Sequence, residues 1–228
     1  MTRVIDTFIA PHCDANIEIL YEDEHLLLIN KPSGLLSLSG KHPQNIDSVH
    51  YRLRQRYPDC ALAHRLDFGT SGVMVVAKNK VVNAALCLQF SQRSVTKGYQ
   101  ALLCGHLPHN QGTIDAPIAK YPANFPRMTI CTVKGKAARS HYQVIDRSRY
   151  HSQLLVTRVN LVTETGRTHQ LRLHCQHMGY PILGCDLYGG MIPLGSEQSP
   201  RLMLHASNLM VIHPISQQRI DIHSAPPF

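Results

Sequence analysis

The sequence predicts an α+β fold. Short apolar runs of strand length recur along the chain, at 17–20, 26–29, 73–78, 97–103, 138–144 and 155–162, and several are rich in β-branched residues. Only about three stretches repeat apolar residues at helical spacing: 47–57, 79–93 and 165–178. With 228 residues, 43% of them hydrophobic, the chain can bury a proper core. A strand-rich pattern with few helices is the α+β signature. One compact domain is expected over 17–228, of one or two lobes, behind an irregular arm at 1–16.

After the arm, Ile17-Glu18-Ile19-Leu20 reads as a strand and Tyr21 to His25 as a polar turn. Leu26-Leu27-Leu28-Ile29 is the next strand, and Asn30-Lys31-Pro32-Ser33-Gly34 a loop with Pro and Gly punctuation. The first helix runs from Asp47 or Ser48, either able to cap it, through Val49, Leu53 and Tyr57, and Pro58 ends it. Asn79 caps the second, whose stripe is Val82, Ala85, Leu86, Gln89 and Phe90. Lys97 to Leu103 is a strand, and 105–135 is loop and short strand, rich in Pro, Gly and His. The third helix opens at Thr165, turns Leu171, His174, Cys175 and Met178 inward, and stops at Gly179.

The chemistry concentrates at His64-Arg65-Leu66-Asp67-Phe68-Gly69-Thr70-Ser71-Gly72. In an extended chain, residues two apart point the same way. Arg65 and Asp67 then face out together while Leu66 turns into the core. On residue types alone such a pair is a surface ion pair that contributes little. The order of residues around it says more.

Net charge is +8 and the pI about 9.2, which favours a polyanionic partner. From Lys120 to Arg172 ten Lys or Arg face only Asp146 and Glu164, an excess expected to form an RNA-facing wall. No apolar run approaches membrane-spanning length, and the first residues, Met1 to Asp6, lack the apolar core of a signal peptide. A cytoplasmic protein without membrane partners is expected. The seven cysteines include no Cys-x-x-Cys pair and read as reduced thiols. His169, His174, His177 and Cys175 lie close together but lack a zinc spacing and a carboxylate, so no metal site is assigned.

His64-Arg65-Leu66-Asp67, followed by Thr70-Ser71-Gly72 and an apolar strand, resembles the central motif of the RluA family of pseudouridine synthases. Four further stretches fit the same family in order. They are Asn30-Lys31-Pro32-Ser33-Gly34, Lys97-Gly98-Tyr99-Gln100-Ala101, Gly166-Arg167-Thr168-His169-Gln170-Leu171-Arg172 and Arg201-Leu202-Met203-Leu204-His205-Ala206. Pro181 to Gly189 also follows the family pattern, with Cys185 a small departure. The resemblance spans about 17–228. The catalytic domain alone, without the extra N-terminal RNA-binding domain of some relatives, is expected, and a monomer is the default expectation.

The resemblance implies a long, bent, mainly antiparallel sheet flanked by helices, with the active cleft across its middle. It implies isomerisation of uridine to pseudouridine in RNA, with ribosomal RNA, transfer RNA or both as partner. The base leaves ribose C1′, rotates and rejoins through C5, with no cofactor. Asp67 is the catalytic carboxylate, whether through a ribosyl ester or a glycal. Arg167 is the cation that keeps it ionised, and Tyr99 the ring against uracil or sugar. Arg65 fills the space of the flipped base. Lys31 and His64 are RNA-contacting candidates, and Leu204 is the apolar floor under the base. Three other readings compete. A glycosidase normally uses two carboxylates, and the motifs supply one besides Asp186, placed as structural. A non-catalytic RNA-binding module needs neither Asp67 nor Tyr99. A metalloenzyme on the His/Cys cluster is the third.

Overall fold

A computed structural model describes residues 8–151, 153–189 and 199–228. Positions 1–7 of the arm, and 190–198 of a loop expected to bear on substrate choice, lie outside the described residues.

In chain order the elements are β1 (Glu18–Glu22), β2 (Leu26–Lys31), α1 (Val49–Arg54), β3 (Ala61–Leu62), β4 (Ser71–Ala77), α2 (Lys80–Ser91) and β5 (Thr96–Cys104). There follow β6 (Gln111–Asp115), β7 (Ile118–Lys120), β8 (Met128–Ile130), β9 (Arg139–Tyr150), β10 (Leu154–Thr163), α3 (Gln170–His177), β11 (Leu204–Ile212) and β12 (Arg219–His223). Among the described residues strands dominate and three α-helices accompany them, so the fold is α+β.

Local signals set most boundaries. The Asp23 carboxylate accepts from the amides of His25 and Leu26, at 2.7 and 2.8 Å, and so makes the β1–β2 turn. Ser48, not Asp47, caps α1 by accepting from the Tyr51 amide at 3.1 Å, and Asn79 caps α2 through the Val82 amide at 2.9 Å. Helix α1 ends at Arg54, short of Tyr57. The Tyr57 hydroxyl donates to Glu22 at 2.8 Å, and the Arg54 guanidinium donates to the Pro58 carbonyl at 2.9 Å. Helix α3 starts at Gln170, five residues later than predicted, because His169 is left-handed (φ 55°). Gly179, at φ 84°, ends that turn as predicted.

The chain forms two compact units. The first holds the described residues up to Lys97 and Ala206–Pro227; the second holds Gly98–His205 and Phe228. In the first, β2 pairs antiparallel with β1 and β4, β3 pairs with β4, and β11 lies between β4 and β12. Every residue of β4 is buried. Its core joins Leu26, Leu28, Val73, Val75, Val82, Leu86, Leu209 and Val211. Gly72 has φ +116°, and a Cβ there would fall 2.2 Å from the Ala206 carbonyl oxygen. The turn into β4 therefore demands glycine.

In the second unit, β5, β10, β9 and β6 pair antiparallel in that order, and β7 with β8 forms a small separate sheet. Leu103, Val159, Leu161, Ile182 and Leu183 are fully buried at its centre. Helix α3 turns Leu171, His174 and Cys175 inward as its periodicity predicts, and Met178 is partly buried against the same core.

Candidate active site

Asp67 sits in an irregular connection between β3 and β4, not on a strand. The predicted alternation nevertheless holds. Arg65 is exposed, Leu66 is buried and Asp67 is half-buried. Arg65 makes no hydrogen bond or ion pair among the described residues.

A second loop, running on from β2, is stitched to this one. The Gly34 amide donates to the Phe68 carbonyl at 3.0 Å, and the Ser33 hydroxyl donates to the Gly69 carbonyl at 2.7 Å. Gly34 has φ 78°, a backbone suited to glycine. The Lys31 ammonium donates to the carbonyls of Leu35, Pro32 and Phe68, at 2.7, 2.9 and 3.2 Å. The Thr70 amide donates to the Asp67 carbonyl at 3.1 Å.

Lys31 thus corrects an expectation. The resemblance makes it an RNA-contacting candidate, yet it is fully buried. An ammonium offers three donors, and here they bind backbone oxygens inside the fold. Burying a charge is costly unless it is so satisfied. Lys31 ties the Asn-Lys-Pro-Ser-Gly loop to the residue after Asp67.

His64, the other RNA-contacting candidate in this stretch, makes contacts inside the fold. Its ring stacks on Phe90 at 4.5 Å and 24°, and its Nε2 accepts from the Val75 amide of β4 at 3.1 Å. That bond assigns the neutral tautomer with the proton on Nδ1. Burial, and secondarily the Lys97 ammonium, hold its pKa down at about 3. In the unfolded chain the group titrates near 6.5. Stability from a neutral His64 is therefore complete above about pH 6.5. It declines as pH falls toward about 3, by at most about 1.4 kcal/mol per unit. Some residual exposure of the residue makes that slope an upper bound. His64→Gln keeps an acceptor for Val75 without a titrating group. Denaturant titrations between pH 7 and 4 should show a shallower loss of stability for this variant than for the wild type; parallel curves would remove the assignment.

Part of the arm, residues 8–15, is fastened to the same region. Asn45 accepts from the Ala10 amide at 2.8 Å and donates to the Phe8 carbonyl at 2.7 Å. Arg52 forks onto both Asp47 oxygens, at 2.7 Å each, and onto the carbonyls of Ala15 (2.7 Å) and Cys13. Phe8 meets Phe68 edge-on, centroids 5.4 Å apart.

The other predicted residues belong to the second unit. Tyr99 is half-buried on β5, paired with Leu161 of β10. Leu204 is buried at the start of β11 within the second core. Arg167 is half-buried ahead of α3, its Nε donating to the Ala137 carbonyl at 3.1 Å. Its loop is organised by Gln170, which the sequence did not single out. The Gln170 amide oxygen accepts from the Thr165 hydroxyl (2.7 Å) and the Arg167 amide (3.0 Å). Its nitrogen donates to the Arg139 carbonyl (3.0 Å) and the Ser140 hydroxyl (2.9 Å).

The histidine cluster is occupied by structural bonds. His174 is buried, with Nδ1 3.0 Å from the Ser140 hydroxyl and Nε2 3.0 Å from the Ala116 carbonyl. Burial lowers its pKa. His169 Nδ1 lies 2.9 Å from the Tyr188 hydroxyl. Among the described residues no group of three His, Cys, Asp or Glu is placed to hold a metal.

The basic excess of 120–172 divides. Arg172 is buried against Asp186 and under the Tyr188 ring. Arg139 pairs with Asp115, Arg158 with Asp146, and Arg147 donates to Leu107 and Asn110. Asp115 and Asp186 lie outside the stretch counted from sequence, so the wall is smaller than expected. Lys120, Arg127, Lys134 and Lys136 remain exposed, on β7 or in the loops flanking β8, beside exposed Tyr121 and Phe125.

Residues 25–177 match the RNA pseudouridylate synthase family. The chain is 43% identical to the dual-specificity RNA pseudouridine synthase RluA of Pasteurella multocida, over 96% of this chain and 97% of that protein. It is 40% identical to the protein of that name in Escherichia coli, over 86% and 87%. Among solved structures, a human protein containing an RNA pseudouridylate synthase domain superposes with a TM-score of 0.79. That match has 31% identity and covers 96% of this chain and 86% of the other. A second human protein of this kind gives 0.71 at 26% identity, over 92% and 88%.

Proposed function

The chain belongs to the RluA family of RNA pseudouridine synthases, and from that premise we propose that Asp67 is the carboxylate that acts at ribose C1′. The observation that carries this reading is the setting of Asp67. It is a half-buried acid next to an exposed arginine, in a loop whose backbone is fixed by Lys31, Ser33, Gly34 and Thr70.

Breaking the bond between uracil N1 and C1′ develops positive charge on the sugar. A fixed carboxylate stabilises that charge or forms an ester with C1′. The freed base rotates, C5 bonds to C1′, C5 loses its hydrogen as a proton and N1 gains one. Atoms balance with no second substrate. In this reading Tyr99 and Arg167 carry the roles that their family positions imply.

Arg65 fills the space left by the extruded base. Extrusion from a stem costs about a few kcal/mol, and a stacked guanidinium offsets part of it. Arg65→Ala should therefore slow turnover on a structured stem-loop by about tenfold or more. On an unstructured oligonucleotide with the same target the loss should be smaller. Equal losses on both substrates would remove this role.

The exposed lysines, arginine and aromatics around β7 and β8 are the phosphate and base contacts in this proposal. The substrate is a stem-loop of ribosomal RNA, transfer RNA or both. Support comes from the dual specificity named for the bacterial relatives, which match most of the chain.

The test is release of tritium from RNA labelled at uridine C5, drawn from cells lacking the protein. Ribosomal and transfer fractions are assayed separately. Isomerisation must expel the C5 hydrogen, whereas hydrolysis need not. Release from one or both fractions assigns the substrate; release from neither, with binding intact, overturns the substrate proposal.

A further inference from the structure

Ser37 makes an unusual contact with the residue preceding Asp67. Its hydroxyl donates to the Leu66 carbonyl at 2.7 Å and accepts from the Leu66 amide at 3.1 Å. Ser37 is only 5% exposed and Leu66 8%. One hydroxyl thus satisfies both backbone polar groups of a buried residue, as a neighbouring strand would otherwise do. The Met74 sulfur, 3.9 Å away, is a weaker neighbour.

The consequence falls on Asp67. Its φ and ψ are the two torsions between the peptide planes that flank it. The plane before it contains the Leu66 carbonyl, which Ser37 binds. The plane after it contains the Asp67 carbonyl, which the Thr70 amide binds. One residue further, Lys31 and Gly34 hold the Phe68 carbonyl. None of these bonds uses the carboxylate. The Lys31 and Gly34 attachments lie on the C-terminal side of Asp67, whereas Ser37 holds the N-terminal side.

We propose that Ser37 is a positioning residue for catalysis, which fixes the direction of the Asp67 carboxylate through the backbone of Leu66. This rests on the reading of Asp67 as the catalytic acid. A serine suits the task. Alanine would leave a buried amide and carbonyl unpaired, which is costly for each group. The loop would relieve that cost by turning toward water, and the carboxylate would turn with it. A displacement of about 1 Å can cost on the order of 10²-fold in rate.

The experiment measures kcat and KM by tritium release on one stem-loop substrate for wild type, Ser37→Ala, Ser37→Cys and Asp67→Asn. Rates are normalised to folded protein by circular dichroism. Ser37→Ala should lose about 10- to 100-fold in kcat, with KM and RNA affinity within about twofold of wild type. Ser37→Cys, with a weak donor and a weak acceptor in place of the hydroxyl, should recover part of the loss, and decides the matter if the alanine variant does not fold. Wild-type kcat in the folded variants, or a loss confined to KM, would overturn the positioning role while Asp67→Asn stays inactive. Normal turnover by Asp67→Asn would instead overturn the reading of Asp67 itself.

Discussion

Asp67→Asn should lower the rate of pseudouridine formation by at least about 10³-fold and leave RNA affinity nearly unchanged. An amide has almost the shape of a carboxylate but carries no charge. It neither stabilises a cationic C1′ nor attacks it. The backbone bonds that hold residue 67 in place go to residues 66, 67 and 68 and do not use the carboxylate. The loop should therefore keep its course in the variant, and the loss should be one of chemistry. Single-turnover tritium release beside a filter-binding isotherm separates the two. A variant that turns over normally would end the proposed mechanism. A variant that loses binding in proportion to rate would make Asp67 a recognition residue instead.

Lys31→Met should cause the largest loss of stability among the site residues, about 3 kcal/mol or more. Methionine replaces the aliphatic stem but leaves the carbonyls of Pro32, Leu35 and Phe68 without their charged donor. All three lie in the two loops around Asp67, so turnover should fall as well. Had Lys31 been a phosphate contact, the variant would instead fold normally and bind RNA more weakly with a reduced salt dependence. Urea denaturation and the salt slope of RNA binding distinguish these outcomes. A wild-type midpoint would refute the clamp.

Features written in a few neighbouring residues were legible. Asn79 capping α2, Gly179 ending α3 and the continuous apolar run of β4 are local signals, because each acts within a turn or one strand. The alternation of Arg65, Leu66 and Asp67 also came through, since Leu66 had one place to bury itself. The order of five motifs carried the family, and with it the reaction, because such an order survives whatever the loops do.

What the chain could not disclose was where its polar atoms go. The resemblance made Lys31 and His64 RNA-contacting candidates, yet one is enclosed by carbonyls and the other stacks on Phe90 and takes the Val75 amide. Arg172 and Arg147 read as part of a basic wall, yet they are committed to Asp186 and to the Leu107 carbonyl. Ser37 gave no signal, and Gln170 stood only as one letter of its motif, because a polar side chain is ordinary until its partners are known. Those partners lie 29 residues away for Ser37 and 30–31 for the Gln170 amide nitrogen. The sequence by itself determined the strands of the central runs, the cap of α2 and the end of α3, and the family, with Asp67 as its candidate acid. Only the tertiary structure decided which charges are spent on holding that acid and which stay free for RNA. A buried donor must find an acceptor, and that acceptor is supplied by the fold rather than by its neighbours in the chain.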